Sequence, residues 1–180
     1  MEIKISDNIK YIGASVYDLD LFESQYIVPN GMAYNSYVIL DEKIAIMDTA
    51  DKIVKSQWLD NLSNALNGRT PDYLVVQHLE PDHSGNIQAL IDLYPDIEII
   101  CSTAAKRMLP QFADVNMDKV TAKNEGDTLE LGSHTLTFIM APMVHWPEVM
   151  LSYESSEKVL FSADAFGKFG AIDADEGWSC

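Results

Sequence analysis

The sequence predicts an α/β fold with one core, in which paired strands flank a stretch of alternating strands and helices. Short apolar segments alternate with segments of helical periodicity through the middle of the chain, as in layered α/β proteins. Both ends of the chain instead read as strands joined by tight turns, so the sheet is not purely parallel. The 180 residues, 47% hydrophobic and 22% charged, are enough for one domain and too few for two ordinary ones.

The first half begins with strands and ends in a helix. Alternating polar and apolar residues predict strands at 3–5 and 9–14, followed by a hairpin of strands 34–40 and 43–47. From residue 52 the apolar residues recur with helical spacing, and Gly68 ends this helix. The predicted buried face of the helix consists of Ile53, Trp58, Leu59, Leu62 and Leu66.

The second half alternates strands and helices and then returns to strands. An apolar strand is predicted at 73–77, and the helix after it ends at Pro95. A strand at 97–101 precedes a helix near 103–112. After Gly126 the pattern predicts strands at 128–131, 134–140, 149–154 and 158–162.

The charge of the chain limits its partners and its location. The net charge is -16, from 28 acidic against 12 basic residues. Such a field repels nucleic acids and anionic membranes, and it suits a soluble surface or docking to a basic patch. No apolar run approaches the ~20 residues of a membrane span, and the first residues lack the pattern of a signal peptide. We therefore expect a cytoplasmic protein.

Neither the cysteines nor the glycines form a recognisable site. Cys101 closes an apolar strand and is predicted to be buried, whereas Cys180 is the last residue, so no disulfide framework is indicated. The isolated glycines, such as Gly13 and Gly85, do not spell a phosphate loop or a dinucleotide fingerprint.

The segment 78-HLEPDHSGN-86 places two histidines, a glutamate and an aspartate within six positions, directly after an apolar strand. Residues two apart on an extended chain point to the same side, so His78 and Glu80 can bind one ion. Pro81 ends the strand pairing, and the following turn can direct Asp82 and His83 to a neighbouring position. One loop could therefore serve two metal ions.

Three interpretations of this segment compete: a metal site, an acid/base site and a charged loop without a task. Asp82 or Ser84 could cap the helix that follows, with His83 in solvent. Capping leaves His78 and Glu80 unexplained, because a charge at the end of an apolar strand is costly without a partner. The metal site is therefore the favoured interpretation.

Other strand ends supply two more candidate ligands, His145 and Asp164. His134 begins a strand beside a Gly-Ser turn and is predicted to be a surface histidine. Three histidines with Glu80, Asp82 and Asp164 form a nitrogen and oxygen ligand set without thiolate. Such a set favours iron or manganese, with iron as the first choice, and zinc remains possible.

These residues resemble the diiron domain of flavodiiron proteins, a variant of the metallo-β-lactamase fold. The resemblance rests on His78-x-Glu80-x-Asp82-His83, on His145 in HWPE and on Asp164 in FSADAFGKFGA. The segments YNSYVI, DHSGN and Asp48-Thr49 are also similar to the family. The zinc hydrolases of the superfamily carry a histidine where this chain has Glu80, so the resemblance is specific to the diiron branch.

The resemblance implies that residues 1–180 form the N-terminal part of an αββα sandwich that is incomplete at its C-terminus. It implies one iron held by His78, Glu80 and His145, a second held by Asp82 and His83, and a bridge formed by Asp164. It implies no catalytic residue beyond these ligands and no flavin-binding residue.

The family reduces dioxygen to water or nitric oxide to nitrous oxide in the cytoplasm. The resemblance implies that the electrons come from a rubredoxin-like donor or from flavin mononucleotide on a flavodoxin-like domain. In the head-to-tail dimer of the family, the flavin of one subunit faces the irons of the other.

The chain departs from the family pattern after Asp164. The last histidine ligand of the second iron and the flavodoxin-like domain do not follow. We expect a fragment, a split protein completed by another chain, or a stand-alone relative that senses gas. The expected partner is a second copy, in a homodimer, or a completing chain. An apolar sheet face near residues 158–163 should then need a cover. A zinc hydrolase with Asp82 as ligand or base is the remaining alternative, and Glu80 argues against it.

Overall fold

The computed structural model describes residues 5–172 of the chain. Two β-sheets pack face to face, and helices cover the outer face of the larger sheet. In chain order the strands are β1 (Ile9–Tyr11), β2 (Ala14–Val16), β3 (Met32–Tyr34), β4 (Tyr37–Leu40), β5 (Ile44–Met47), β6 (Tyr73–Val76), β7 (Glu98–Ser102), β8 (Val120–Lys123), β9 (Thr128–Glu130), β10 (Thr135–Met140), β11 (Met150–Glu154) and β12 (Val159–Phe161). The α-helices are α1 (Lys55–Leu66), α2 (Pro81–Ser84), α3 (Ile87–Leu93) and α4 (Thr103–Met108).

The larger sheet has six strands in the order β1-β4-β5-β6-β7-β8. Strands β1, β4 and β5 pair antiparallel, whereas β5 to β8 run parallel. The helices lie in the connections between the parallel strands, as such connections require. The smaller sheet, β12-β11-β10-β9, is antiparallel throughout, and β2 and β3 form a separate ribbon. The predicted mixture of hairpins and βαβ units is therefore confirmed.

Two apolar clusters separate the three layers, and strand alternation assigns each side chain to one of them. In β5, Ile44 and Ile46 face the cluster under the helices, whereas Ala45 and Met47 face the smaller sheet. Buried residues of the smaller sheet, such as Phe138, complete the second cluster. Because both faces of β5 are buried, its sequence is continuously apolar rather than alternating.

The helix predicted from residue 52 begins at Lys55. Residues 52–54 form a 3₁₀ turn, in which the side chain of Asp51 accepts a hydrogen bond from the backbone N–H of Ile53. Ile53 is consequently 55% exposed, and its predicted place in the buried face is wrong. The other predicted residues of that face pack in the core, namely Trp58, Leu59, Leu62 and Leu66.

The strand predicted at 9–14 is divided into β1 and β2, because the chain leaves the larger sheet at Gly13. A Cβ atom at Gly13 would lie 2.2 Å from the backbone oxygen of Tyr34, so only glycine permits this close approach. Strands β3 and β8 were not predicted. The strand predicted at 3–5 lies mostly outside the described residues, as does Cys180, whereas Cys101 is buried as predicted.

The outer face of the smaller sheet carries apolar side chains, including Ile139 at 36% and Leu160 at 43% exposure. Within residues 5–172 no helix packs on this face, and β12 forms an open edge of the sheet. None of the described helices is long and apolar enough to cross a membrane.

Candidate metal centre

Six potential ligands converge at one edge of the two sheets, where strands of the parallel part end. The chain after β6 is extended through His78 and Glu80, and Pro81 then occupies the first position of the short helix α2. Proline suits that position, because its fixed φ and missing N–H cost nothing there. Helix α2 carries Asp82 and His83. His145 lies between β10 and β11, and Asp164 lies in the turn after β12, so both sheets contribute.

The first ligand group consists of His78, Glu80, His145 and Asp164. Oε2 of Glu80 lies 3.0 Å from Nε2 of His78 and 2.7 Å from Nε2 of His145. Oδ2 of Asp164 lies 3.2 Å from each of the same two nitrogens. Two imidazole nitrogens and two carboxylate oxygens therefore converge on one point.

The second ligand group consists of Asp82, His83 and Asp164. Nε2 of His83 lies 2.8 Å from Oδ1 of Asp164 and 3.8 Å from Oδ2 of Asp82. Asp164 thus presents Oδ2 to the first group and Oδ1 to the second. A carboxylate in this position can bridge two ions.

Two buried carboxylates orient the histidines from behind. Nδ1 of His78 lies 2.8 Å from Oε1 of Glu148, and Nδ1 of His83 lies 3.1 Å from Oδ2 of Asp48. When Nδ1 donates to a carboxylate, the proton of a neutral imidazole is on that nitrogen and the Nε2 lone pair is free to bind a metal. The ring of Trp146 packs edge-on against His78, with ring centroids 5.3 Å apart.

The charges of this cluster shift the pKa values of the two buried histidines. Burial opposes the charged form of His78, but hydrogen bonds to three carboxylates outweigh it and raise its pKa to about 11. The same balance raises the pKa of His83 to about 10, with Asp164 and Asp48 as its carboxylate partners. Protons and metal ions compete for the same ring nitrogens, so metal binding here would release protons.

The pKa values of two carboxyl groups in the centre, Asp164 and Asp82, shift in opposite directions. Burial acts against the ionised form of Asp164, but its hydrogen bonds to His78 and His83 outweigh this and hold its pKa well below the usual range. Burial raises the pKa of Asp82 to about 6, and the charge of His83 offsets only part of that rise. A buried carboxylate that lacks a hydrogen bond needs a cation to stabilise its charge, and such groups are typical of functional sites.

The residues present fit a metal centre in number, chemistry and placement. In each of the two groups the ligand atoms lie within 4.8 Å of one another. Oδ1 of Asp82 is buried and has no hydrogen-bond partner, which is costly unless an ion satisfies it. The donors are imidazole nitrogens and carboxylate oxygens, the set that suits iron, manganese or zinc.

The remaining polar residues of the 78–86 segment stabilise the loop. The hydroxyl of Ser84 donates to the backbone oxygen of Leu79 at 2.8 Å. The side-chain amide of Asn86 donates to the backbone oxygen of Ala50, also at 2.8 Å. A Cβ at Gly85 would lie 2.7 Å from the backbone oxygen of Pro81. The capping interpretation does not describe the segment, because neither Asp82 nor Ser84 caps a helix through its side chain.

His134 is not the surface histidine that the sequence predicts, since its exposed fraction is only 2%. Its Nδ1 lies 2.6 Å from Oδ2 of Asp41, and its Nε2 lies 3.1 Å from Oε1 of Glu157. Burial opposes its protonation, but these two carboxylates raise its pKa. Asp41 precedes β5, whereas Asp48 follows it, so this network lies at the opposite end of the sheet from the metal centre.

The sequence interpretation missed three carboxylates that contact the ligand groups: Asp48, Glu148 and Glu23. Glu148 follows the HWP segment directly and Asp48 follows β5 directly, but both positions are equally typical of turn residues. Glu23 lies in a loop more than fifty residues before the ligand segment. Its carboxyl shares a hydrogen bond with Glu80, which raises the pKa of Glu23 to about 7.

The sequence of the chain is similar to a known protein family and to several known proteins. Residues 32–178 match the family described as ODP family beta lactamase. The diflavin flavoprotein A 1 of Synechocystis sp. is 36% identical over 171 residues, which cover 94% of this chain and 30% of that protein. The anaerobic nitric oxide reductase flavorubredoxin of Vibrio vulnificus is 34% identical, with 93% of this chain and 34% of that protein covered.

Solved structures agree with the sequence comparison. Rubredoxin oxygen:oxidoreductase from Desulfovibrio gigas superposes with a TM-score of 0.88 at 35% identity, covering 96% of this chain and 43% of that one. The flavodiiron protein from Giardia intestinalis gives a TM-score of 0.86 at 25% identity, covering 96% and 42%. The chain belongs to the flavodiiron family. Its fold is the metallo-β-lactamase-like fold of that family, and it spans about a third of the length of the curated relatives named above.

Proposed function

We propose that this chain is the metal-binding part of a flavodiiron-type oxidoreductase that reduces dioxygen to water, nitric oxide to nitrous oxide, or both. The observation that carries the proposal is the position of Asp164, whose two oxygens contact histidines of two different ligand groups. Such a bridge requires two metal ions, and the carboxylate of Glu80 in the first ligand group argues against the zinc-hydrolase alternative. The names of the similar proteins, a nitric oxide reductase and an oxygen oxidoreductase, support the same reaction class.

In this proposal His78, Glu80 and His145 hold one iron, Asp82 and His83 hold the other, and Asp164 bridges them. Two bound irons would supply electrons to the gas and a template for its reduction. The chain's own contribution is to fix the ligand atoms. Glu148 and Asp48 set the histidine tautomers, and the ring of Trp146 covers His78.

A cavity of about 460 Å³ leads to both ligand groups and provides room for a diatomic gas. Its lining includes Glu80, Asp82 and His145 together with the rings of Tyr26 and Phe169. The aromatic part of this lining suits a small uncharged gas beside the polar ligand groups.

The electrons would come from outside residues 5–172. We propose a rubredoxin-like donor or flavin mononucleotide on a flavodoxin-like domain, carried by a partner or by a segment outside these residues. Exposed apolar side chains near the cavity, including Phe166 at 90% and Tyr26 at 48% exposure, would suit the docking of such a donor. A cytoplasmic location belongs to the same proposal, as does the assignment of the whole chain to one diiron domain.

The second metal would need a ligand beyond those in the described part of the chain, which supplies Asp82, His83 and the shared Asp164. A second cavity of about 240 Å³ adjoins His83 and is lined by Asp48, Gln77 and the residues that follow β12. We propose that the further ligand enters here, from a segment outside residues 5–172, from a second copy or from a completing chain. If this position stays open, a diiron gas sensor becomes the second candidate function.

Metal and gas assays together test the proposal. Protein prepared anaerobically with iron and zinc both available should contain iron, and His78→Ala should lose most of the first metal. His134→Ala serves as the control, because it removes a histidine outside the centre. Gas consumption should be slow with a nicotinamide donor and a reductase alone, and a flavodoxin-like protein with flavin mononucleotide should raise it.

The contrary results are equally specific. Zinc alone in the anaerobic preparation would favour a hydrolase and refute the diiron assignment. Stable iron without gas consumption, even with the flavin protein present, would favour the sensor. Fast oxygen reduction without a flavin protein would contradict the proposed route of the electrons.

A further inference from the structure

A buried serine lies behind each of the two carboxylates that orient the histidines of the metal centre. Ser36 lies between β3 and β4, and Ser102 is the last residue of β7. The hydroxyl of Ser36 donates to the backbone oxygen of Asp48 at 2.9 Å. The hydroxyl of Ser102 donates to the backbone oxygen of Glu148 at 2.7 Å. The same arrangement therefore occurs at both orienting carboxylates.

Each serine hydroxyl is also held by a donor from the helical layer. The indole Nε1 of Trp58, in α1, donates to Oγ of Ser36 at 3.1 Å. The backbone N–H of Ala105, in α4, donates to Oγ of Ser102 at 3.0 Å. An indole N–H and a backbone N–H can only donate, so the proton of each hydroxyl is left for the backbone oxygen of the carboxylate residue. Each serine thus connects a helix to one orienting carboxylate.

The backbone of each carboxylate residue determines where its carboxyl group points. Asp48 follows β5 with a φ angle of 52°, a left-handed conformation that is unfavourable without supporting contacts. From this turn its Oδ2 lies 3.1 Å from Nδ1 of His83. Glu148 lies shortly before β11, and its Oε1 lies 2.8 Å from Nδ1 of His78. A shift of either backbone would move the carboxyl group away from its histidine.

We propose that Ser36 and Ser102 are positioning residues of the metal centre, and that each holds the backbone of one orienting carboxylate in place. Ser36 acts on the second ligand group through Asp48. Ser102 acts on the first ligand group through Glu148. The inference rests on the proposed diiron function, because it assigns roles toward the ligands of two metal ions.

The expected effect is moderate and confined to one site. Groups that contact a metal ligand directly change metal affinity by about 10–100-fold when they are removed. The two serines lie one contact further from the metal, so we expect a smaller loss of about three- to tenfold. A general loss of stability would instead weaken both sites alike, because both exist only in the folded chain.

Ser36→Ala and Ser102→Ala test the two halves of the proposal, and each is the control for the other. Ser152→Ala is a neutral control, since Ser152 is also buried and its hydroxyl has no hydrogen-bond partner among the described residues. The measurements are the Co²⁺ affinity of each site in the full chain, by competition with a chelator, and the unfolding midpoint of the metal-free protein. His145→Ala and Asp82→Ala assign the two binding steps, because each removes a proposed ligand of one site.

Ser36→Ala should lower second-site affinity about three- to tenfold and leave first-site affinity within about twofold of the unsubstituted protein. Ser102→Ala should do the reverse, and Ser152→Ala should change neither site. When Asp48→Asn is already present, Ser36→Ala should add no more than about a twofold loss, because residues in one chain of contacts are not additive.

Equal losses at both sites in the two serine variants would overturn the proposal, because they would show a general destabilisation. Losses that multiply when Ser36→Ala and Asp48→Asn are combined would refute the route through Asp48. Unchanged affinities in both variants would overturn the proposal while leaving the diiron function intact, whereas an unsubstituted protein that binds no metal would overturn both. If one serine variant does not fold, the other decides, since the two serines act on different sites.

Discussion

The substitution Asp48→Asn tests how the centre orients its histidines. Asp48 uses its two oxygens for two donors: Oδ1 accepts from the backbone N–H of Gln77 at 2.7 Å, and Oδ2 faces Nδ1 of His83 at 3.1 Å. Asparagine has one oxygen, so its amide nitrogen must face one of these donors. The φ angle of Asp48 is 52°, a conformation that asparagine tolerates, so the substitution tests the side chain and not the backbone.

We expect the amide nitrogen to face His83, because the backbone N–H of Gln77 has no second form, whereas an imidazole can move its proton to the other nitrogen. His83 would then carry its proton on Nε2, which removes the lone pair that should bind the second metal. A hydrogen bond to a charged group contributes about 1.5–3 kcal/mol. At about 1.4 kcal/mol per factor of ten, second-site affinity should fall roughly 10–100-fold.

Glu148→Gln is the matched control at the other histidine. Unlike Asp48, Glu148 uses a single oxygen for both donors. Its Oε1 lies 2.8 Å from Nδ1 of His78 and 3.0 Å from the backbone nitrogen of Leu79. The single oxygen of glutamine can keep both contacts, and its amide nitrogen takes the place of Oε2, which is buried without a hydrogen-bond partner. We expect first-site affinity to fall by less than about tenfold, the lower limit for a lost orienting group.

Co²⁺ titration against a chelator, with the stoichiometry per chain, measures both effects. The unfolding free energy of the metal-free variants should be recorded in parallel. If the amide introduced by Asp48→Asn took the opposite orientation, the backbone N–H of Gln77 would be unpaired and stability would fall by about 1–3 kcal/mol. Equal losses in Asp48→Asn and Glu148→Gln would refute the reasoning. So would an Asp48→Asn variant with unchanged second-site affinity.

The bridging position of Asp164 predicts that Asp164→Asn lowers the content of both metals, whereas His78→Ala lowers mainly that of the first; loss of one metal only in Asp164→Asn would contradict the bridge. His134→Gln should leave metal content unchanged and lower the unfolding free energy by about 1–3 kcal/mol. Because the folded-state pKa of His134 is raised, its contribution is complete below about pH 6.5 and is lost as pH rises through the folded value. The pKa values of Asp41 and Glu157 are lowered, so their contribution to stability is lost at acidic pH. The difference in unfolding free energy between the unsubstituted protein and His134→Gln, measured at several pH values, should therefore shrink in alkali. A difference that stays constant would count against the network. Light scattering with metal counting should find a dimer or a complex with a completing chain, and a compact monomer with two full irons would contradict that expectation.

The part of the centre that the sequence predicts is the part in which neighbours in sequence are neighbours in space. His78, Glu80, Asp82 and His83 follow one buried strand, and an apolar strand that ends in four polar groups is a strong local signal. His145 and Asp164 required a weaker argument, from the ends of other strands. The structure brings all six together, although their role as metal ligands remains the proposal made above.

The missed features depend on contacts that the local pattern does not contain. His134 follows a Gly-Ser turn, which is typical of the surface, but Asp41 and Glu157 enclose it from two other turns. Ile53 has the helical spacing of a core residue, but the cap at Asp51 shifts the start of α1 past it. For His134 contacts with two other segments override the preference that the pattern predicts, and for Ile53 a local cap does so.

Polar contacts join the two sheets at both ends of their shared apolar cluster. At one end, Asp164 from the smaller sheet contacts His78 and His83 from the larger one. At the other end, His134 from the smaller sheet contacts Asp41 from the larger one. Each contact joins residues more than eighty positions apart, so neither can form before the sheets have packed. The geometry of the metal centre is therefore a consequence of the packing between the sheets, and a bound ion would stabilise that packing because it binds only the folded arrangement.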